Sequence, residues 1–381
     1  MKLLHINCNY LGTPLHQIMA EHLTNLNIEN HIFVPTYDKT QTVIKPNSNV
    51  TVSECFAKWD RLVFDHKQTK ILKSIDSQFH IKTFDCIHAY TLFTDGNCAM
   101  RLSETYHVPY VVAIRNTDVN YFLKYMVHLR RRGIKIMRNA AAIFFLSDSY
   151  KNQIFNKYVP KKYQTELLKK SYVIPNGIDD FWLNHLVKNM DLPHTCRLMN
   201  KELNLIYAGR IDRNKNIITT QKAIKILEKE GYKISFTVIG KIENKKVFNR
   251  IISDKNTNYL EPLPKEELID IYRKNDIFVM PSFTESFGLV YAEAMSQGLP
   301  VIYTAGQGFD GQFEEGTVGY HIDPKNIYDI VRAIKKILIN YDVFCENCKI
   351  KVLKFSWKSI AETYCEIYNS ILLGRFTNEQ N

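Results

Sequence analysis

Short, almost wholly apolar runs recur along this chain, separated by stretches long enough for a helix. Lys2–Cys8, His31–Val34, Cys86–Tyr90, Tyr110–Ile114, Ala141–Leu146 and Tyr172–Ile174 are such runs in the first half. A run without polar alternation predicts a strand buried on both faces, as in a parallel sheet covered by helices. Between the runs, positions such as Ile18, Met19, His22, Leu23 and Leu26 follow helical spacing. The second half repeats the alternation more regularly. It predicts strands at Leu203–Ala208, Ile234–Ile239, Asp276–Met280 and Leu299–Tyr303, and helices at about 216–230, Pro264–Asn275 and Leu289–Gln297. Pro264 with Glu266 and Glu267 suits the start of a helix. The predicted fold class is α/β, with two Rossmann-like domains facing a cleft.

The break between the domains falls near Asn176-Gly177-Ile178-Asp179, with 181–201 reading as a polar linker. Residues 1–176 form an expected N-terminal domain and 177–355 a C-terminal one. A last amphipathic helix at 356–376, opening Phe355-Ser356-Trp357, completes the fold. A chain of 381 residues accommodates two domains of ordinary size. No apolar run reaches the roughly 18 residues of a membrane span. Met1–Asn9 turns polar too early for a signal peptide, so the expected location is cytoplasmic. Eight scattered cysteines suit a reduced compartment. Cys345-Glu-Asn-Cys348 has metal-ligand spacing and lies between two helical-looking segments, but there is no second pair to complete a zinc site, so no metal is expected.

The formal net charge is +11, and residues 1–180 carry 23 Lys and Arg against 15 Asp and Glu. A basic surface points to an anionic partner. Lys124, Arg130, Arg131, Arg132, Lys135 and Arg138 interleave with Tyr121, Phe122, Leu123, Tyr125, Met126, Val127 and Leu129, with no acid among them. Lys124–Arg138 therefore reads as an amphipathic helix, either lying on an anionic membrane or covering the core with a solvated basic face. No recognised nucleic-acid-binding module accompanies it, and no nucleic-acid partner is expected.

Ligands of Rossmann-type sheets bind beyond the carboxyl ends of the strands. One segment placed there is Gly209-Arg210-Ile211-Asp212-Arg213-Asn214-Lys215. Gly209 permits a tight exit from the strand, and Arg210 and Lys215 suit a diphosphate; a solvated basic loop would carry the same residues. A second is Pro281-Ser282-Phe283-Thr284-Glu285-Ser286-Phe287-Gly288-Leu289 and the helix after it, with Glu293. It offers amides at a helix N-terminus between two carboxylates that can accept sugar hydroxyls.

These elements, with Gln297-Gly298-Leu299-Pro300-Val301-Ile302 in the same order, resemble the nucleotide-sugar domain of GT-B fold glycosyltransferases of family 4, a retaining group found in bacterial polysaccharide assembly. The resemblance is strong over about 203–340 and mainly topological over 1–180, and the closing helix at 356–376 resembles the family's last helix, which crosses back onto the N-terminal domain and completes it. It implies a metal-independent transferase that moves a hexosyl or N-acetylhexosaminyl group from a UDP-sugar or GDP-sugar. The acceptor would be a glycan hydroxyl, often on a lipid-linked saccharide at the cytoplasmic face of the inner membrane. No cofactor is implied. Arg210 and Lys215 would hold the diphosphate, Glu293 the ribose, and Glu285 the transferred sugar. Amides around Phe287, Gly288 and Leu289 would meet phosphate and sugar, Gly209 would lie at the donor, Gly240 and the Leu260-Glu261-Pro262 segment would lie near the base, and Gly12 would close over the phosphates. Family members commonly place a His after the strand corresponding to Val111–Ile114. Here Arg115-Asn116-Thr117-Asp118 follows, and Arg115 or Asn116 takes that place. His88, after another strand, points toward the cleft in this reading or is a structural His. Asn116 and Asp118 join it as acceptor-side residues. The alternatives are a nucleotide-sugar epimerase of the same fold and a non-catalytic protein that binds sugar nucleotides or anionic surfaces.

Overall fold

The computed structural model describes residues 1–40, 48–187 and 200–378, with side chains to 374. The chain forms two compact units. The first joins Met1–Gly177 to the C-terminal segment from Trp357, and the second is Ile178–Ser356.

The first unit is built on seven parallel strands, β1 (Lys2–Ile6), β2 (Glu29–Thr36), β3 (Val50–Glu54), β4 (Cys86–Ala89), β5 (Tyr110–Ile114), β6 (Ala142–Phe145) and β7 (Ser171–Val173). Their order is β3-β2-β1-β4-β5-β6-β7, so the direction of winding reverses between β1 and β4. All residues of β4, β5 and β6 are buried, which is why their sequence is apolar throughout except at His88. The helix Trp357–Asn378 belongs to this unit. Its Trp357, Ile360, Ala361, Tyr364 and Tyr368 pack with Leu3, Met19, Leu23, Tyr90, Val111 and Phe144 in one core cluster. Gly177 makes room for it, since a Cβ there would lie 2.5 Å from the Trp357 ring.

The second unit carries six parallel strands, β8 (Glu202–Ala208), β9 (Lys233–Ile239), β10 (Thr257–Leu260), β11 (Ile277–Val279), β12 (Val301–Thr304) and β13 (Gly319–Ile322), in the order β10-β9-β8-β11-β12-β13. The switch point lies between β8 and β11. Both sheets are of the doubly wound parallel type that the hydrophobic pattern predicts. Among the described residues no helix is long and apolar enough to cross a membrane.

Three expectations need correction. The segment 181–201 does not begin as a linker: Asp180–Asn184 is a helix capped by Asp179, whose carboxylate accepts the Phe181 N–H at 2.8 Å. Trp182 of that helix is buried against Tyr272, and residues 188–199 lie outside the described residues. The Cys345 and Cys348 pair does not lie between helices but inside one, Tyr341–Lys351, with both thiols buried and pushed up in pKa by that burial. Finally, Lys124–Arg138 is not one continuous helix. A turn at Asp118–Phe122 leads into Leu123–Tyr125, the chain breaks at Met126 (φ −93°, ψ 65°), and an ordinary helix runs only from Arg130 to Asn139. There Ile134, Ile136 and Met137 face the core. Arg130 donates to the Leu123 carbonyl at 2.7 Å, Arg132 pairs with Asp65, Lys135 with Glu104 and Arg138 with Glu166. Much of the basic face is thus engaged within the unit, while Tyr121, Tyr125 and Val127 stay exposed.

Candidate functional site

At the switch point of the second sheet, β8 ends in Gly209 (φ +150°) and the neighbouring β9 in Gly240 (φ +146°). A Cβ on Gly240 would stand 1.8 Å from the Gly209 carbonyl oxygen, so this crossing admits only glycine. The strands part there and Arg210 emerges, its side chain 65% exposed and its guanidinium 4.0 Å from the Asp212 carboxylate. Gly240 also meets the end of β10, its N–H donating to the Leu260 carbonyl at 3.2 Å.

The loop after Arg210 is pinned to the loop after β11. Asp212 accepts the Lys215 N–H at 3.0 Å. The Asn214 carbonyl and side-chain oxygens accept the N–H groups of Phe283 and Thr284 at 2.8 and 3.0 Å, and its Nδ2 donates to the Thr284 carbonyl at 2.8 Å. Asn216 adopts the left-handed conformation (φ 55°) and donates to the carbonyls of Pro281 and Pro324. The result brings Lys215 and Glu285 together: Nζ lies 2.5 Å from Oε2, with each side chain only about a tenth exposed (12% and 11%). The Glu285 N–H donates to the Gln307 side chain at 2.9 Å. By sequence these two residues meet separate parts of a ligand; their pairing, and the part Asn214, Asn216 and Gln307 play in setting it, emerge only in the fold. The signal available was Asn on either side of Lys215, because Asn both tolerates φ > 0 and bonds neighbouring backbone.

Gly288 (φ +78°) precedes the helix Leu289–Ser296, and a Cβ there would strike the Tyr291 ring at 2.5 Å. The amides of Phe287, Gly288 and Leu289 stand before the first bond of that helix, Tyr291 N–H to the Gly288 carbonyl at 3.0 Å. Glu293 sits further along it. Its carboxylate has no hydrogen-bond or ion-pair partner among the described residues. Part of its surface reaches solvent, but the surrounding protein withholds most of the water. That burial, reinforced by the Asp179 charge, pushes its pKa up to about 7. An unpaired carboxylate held this way is costly unless a ligand supplies donors.

The first unit carries the remaining predicted residues. Gly12 ends a short turn, Tyr10–Gly12, after β1, with open space around it. Arg115 leaves β5 with Nε 3.4 Å from the Tyr90 carbonyl and Nη1 3.1 Å from Asn176 Oδ1. Asn116 accepts from Asn120 and lines a cavity of about 970 Å³. Asp118 borders the same cavity but is 1% exposed. Its carboxylate accepts the N–H groups of Leu92, Phe93 and Arg115 at 3.0, 3.3 and 2.9 Å, so it ties the loop after β4 to its own loop after β5 and offers little to an acceptor. Burial raises its pKa to about 6. His88 is a core residue, fully buried, with Nδ1 2.6 Å from the Tyr368 hydroxyl of the C-terminal helix. It faces the packing of that helix and meets no open space.

Residues 197–352 match the family described as Glycosyl transferases group 1, and residues 17–180 match Glycosyltransferase Family 4. A D-inositol 3-phosphate glycosyltransferase of Corynebacterium jeikeium is 34% identical over 116 residues, 30% of this chain and 28% of that protein. The capsular polysaccharide biosynthesis glycosyltransferase CapM of Staphylococcus aureus is 28% identical over 241 residues, 61% of this chain and 62% of that protein. The chain thus matches less than two thirds of the length of either relative. Among solved structures, sucrose-phosphate synthase from Thermosynechococcus elongatus superimposes with a TM-score of 0.74 at 16% identity, covering 98% of this chain and 100% of that one. Anabaena HepE in complex with UDP-glucose gives 0.65 at 15%, covering 97% and 100%. At such identities the likeness concerns the fold.

Proposed function

The chain belongs to the GT-B glycosyltransferases, and from that premise we propose that it moves a sugar from a UDP-sugar, with a GDP-sugar as the second choice, to a glycan hydroxyl during assembly of a bacterial cell-surface polysaccharide. The observation that carries the reading is the pairing of Lys215 with Glu285 at the switch point of the second sheet, in the loop that leads into the helix carrying the partnerless carboxylate of Glu293. The capsular name of the Staphylococcus relative supports the polysaccharide, and the UDP-glucose held by HepE supports uracil as the base.

In this reading Arg210 and Lys215 meet the donor diphosphate, and the amides at Phe287–Leu289 add neutral donors to it. Glu293 accepts the ribose hydroxyls and Glu285 the hydroxyls of the transferred sugar. The bond from the anomeric carbon to the diphosphate oxygen breaks. The acceptor oxygen bonds to that carbon on the same face, and its proton passes to a donor phosphate oxygen. The nucleoside diphosphate leaves with its new charge opposite Arg210 and Lys215, so fixed cations supply what a divalent ion would otherwise give. The acceptor is a lipid-linked saccharide at a cytoplasmic membrane face. The exposed Tyr121, Tyr125 and Val127, beside Lys124 and Arg131, form the surface that touches it.

The test is release of nucleoside diphosphate from UDP-glucose and related donors with saccharide diphosphate lipids as acceptors, with and without a chelator. Chelator-resistant transfer with the donor's anomeric configuration kept in the product supports the proposal. Inversion, a strict metal requirement, or conversion of the sugar nucleotide without an acceptor overturns it. Sedimentation with anionic but not neutral vesicles, lost when Tyr125 and Lys124 are replaced by Ser and Gln, checks the membrane contact.

A further inference from the structure

The large cavity of the first unit lies at the carboxyl ends of β1, β2, β4 and β5. Three cations line it, Lys58, Arg61 and Lys67. None of them pairs with a carboxylate among the described residues. The acids close in sequence are already engaged. Asp60 is held by Lys70 at 2.7 Å, His66 at 3.3 Å and the Ala57 N–H at 2.6 Å, and Asp65 is held by Arg132. What positions the cations is aromatic: Lys67 Nζ lies 4.7 Å from the Phe56 ring centre, and the Arg61 guanidinium lies 5.6 Å from that of Tyr37. A ring face orients a cation without cancelling its charge, so each keeps its donors for a ligand.

The acids deepest at this end of the sheet offer little opposition. Asp118 spends its oxygens on backbone N–H groups, and Asp95 accepts from the Thr91 hydroxyl and the Cys8 N–H. Burial raises Asp95 to about 7 against the Coulombic pull of Lys67, so about half of its charge is withdrawn at neutrality, while Asp118, at about 6, stays mostly ionised there and turns that charge on the three N–H groups it holds.

We infer that this cavity is an anion site, in which Lys67, Arg61 and Lys58 hold a phosphate or diphosphate group of the acceptor. The word acceptor rests on the transferase reading; the anion site itself rests on the cavity alone. Its volume of about 970 Å³ exceeds what a phosphate fills and leaves room for an attached sugar. Leu62 and Tyr121, both exposed, stand at the same cavity. A hydrocarbon chain on the diphosphate would have apolar surface to follow there.

The experiment is calorimetric titration of the full chain, in saturating UDP, with sodium pyrophosphate, farnesyl diphosphate and farnesol. The wild type is compared with Lys67→Gln, Arg61→Gln and the double variant. Losing one charge-assisted contact weakens binding by about tenfold or more. The expected result is that both diphosphates bind the wild type, each single variant loses about tenfold, and the double variant loses more, at unchanged melting temperature. Lys67→Arg retains most of the affinity. Tighter binding of farnesyl diphosphate than pyrophosphate assigns the group to a lipid carrier; equal binding assigns it to a soluble phosphosugar, and both support the site. Failure of pyrophosphate to bind the wild type, or equal binding to the double variant, overturns it. UDP binding is measured separately on the same proteins. A chain that loses pyrophosphate through Lys67→Gln yet never binds UDP keeps the anion site and refutes the transferase reading.

Discussion

Glu293 ties donor binding to pH in a way that can be worked through. Its pKa of about 7 lies well above the ordinary glutamate value of 4.5, with burial the main cause. If the ionised form alone accepts the ribose hydroxyls, roughly a tenth of the site is competent at pH 6 and roughly nine tenths at pH 8. The association constant for UDP-glucose should therefore rise about tenfold from pH 6 to pH 8 and level off above it. The donor's diester phosphates stay ionised throughout, so they add no slope. Glu293→Gln should abolish the rise and weaken binding at pH 8 by about tenfold to a hundredfold. Stability should move the other way. A carboxyl raised from 4.5 to about 7 on folding favours the fold below 4.5, and that contribution is lost as pH rises through 7. The cost at pH 8 is about 3 kcal/mol at most, given partial solvent access. Glu293→Gln should thus raise the melting temperature at pH 8 and leave it nearly unchanged at pH 4. Isothermal titration and thermal melts across pH 4–9 read both effects. A flat pH profile in the wild type, or the same slope in Glu293→Gln, refutes the reasoning.

Removing Lys215 leaves Glu285 largely buried without its ion-pair partner. Lys215→Ala should cost about 3 kcal/mol in urea unfolding, and Lys215→Ala with Glu285→Gln should recover part of that while still failing to bind UDP-glucose. Gly240→Ala forces a Cβ onto the Gly209 carbonyl, and the second unit should lose about 3 kcal/mol or more or fail to accumulate as folded protein, as circular dichroism will show. His5 is buried between Tyr90 and Asn30, and burial lowers its pKa from 6.5 to about 4. Its contribution is intact above 6.5 and disappears as pH falls toward 4. Relative to His5→Gln, the wild type should therefore lose about 3 kcal/mol across that window in denaturant melts.

What could be read from the sequence depended on range. The strand read as Leu203–Ala208 and its exit at Gly209 were visible because a largely apolar run followed by glycine needs no distant partner to be interpreted. The edge strands Val50–Glu54 and Thr257–Leu260 were not, because an edge strand is only half covered and its residues stay mixed in polarity. Lys124–Arg138 had the composition of a helix, but the break at Met126 is a backbone choice made by the packing of Leu123 and Leu129 on either side of it. Lys215 and Glu285 stand 70 residues apart and His88 and Tyr368 stand 280 apart, so neither meeting leaves a local trace. The residue types that suit sugar and phosphate could be recognised in order along the chain; which of them touch could not.

The segment that follows Ser356 also sets an order of events. Synthesis delivers Met1–Gly177 first, yet the core of that unit lacks Trp357, Tyr364 and Tyr368 until nearly the whole chain has emerged. The intervening unit has its own ends tied together, the Ile178 N–H donating to the Phe355 carbonyl at 2.9 Å, and every one of its strands is already available by then. The part made first is therefore finished last, and until then its unfilled apolar surface is a natural client for a chaperone. A released chain truncated after Ser356 would carry a complete second sheet and an open first one. Its protease resistance should map to Ile178–Ser356 alone.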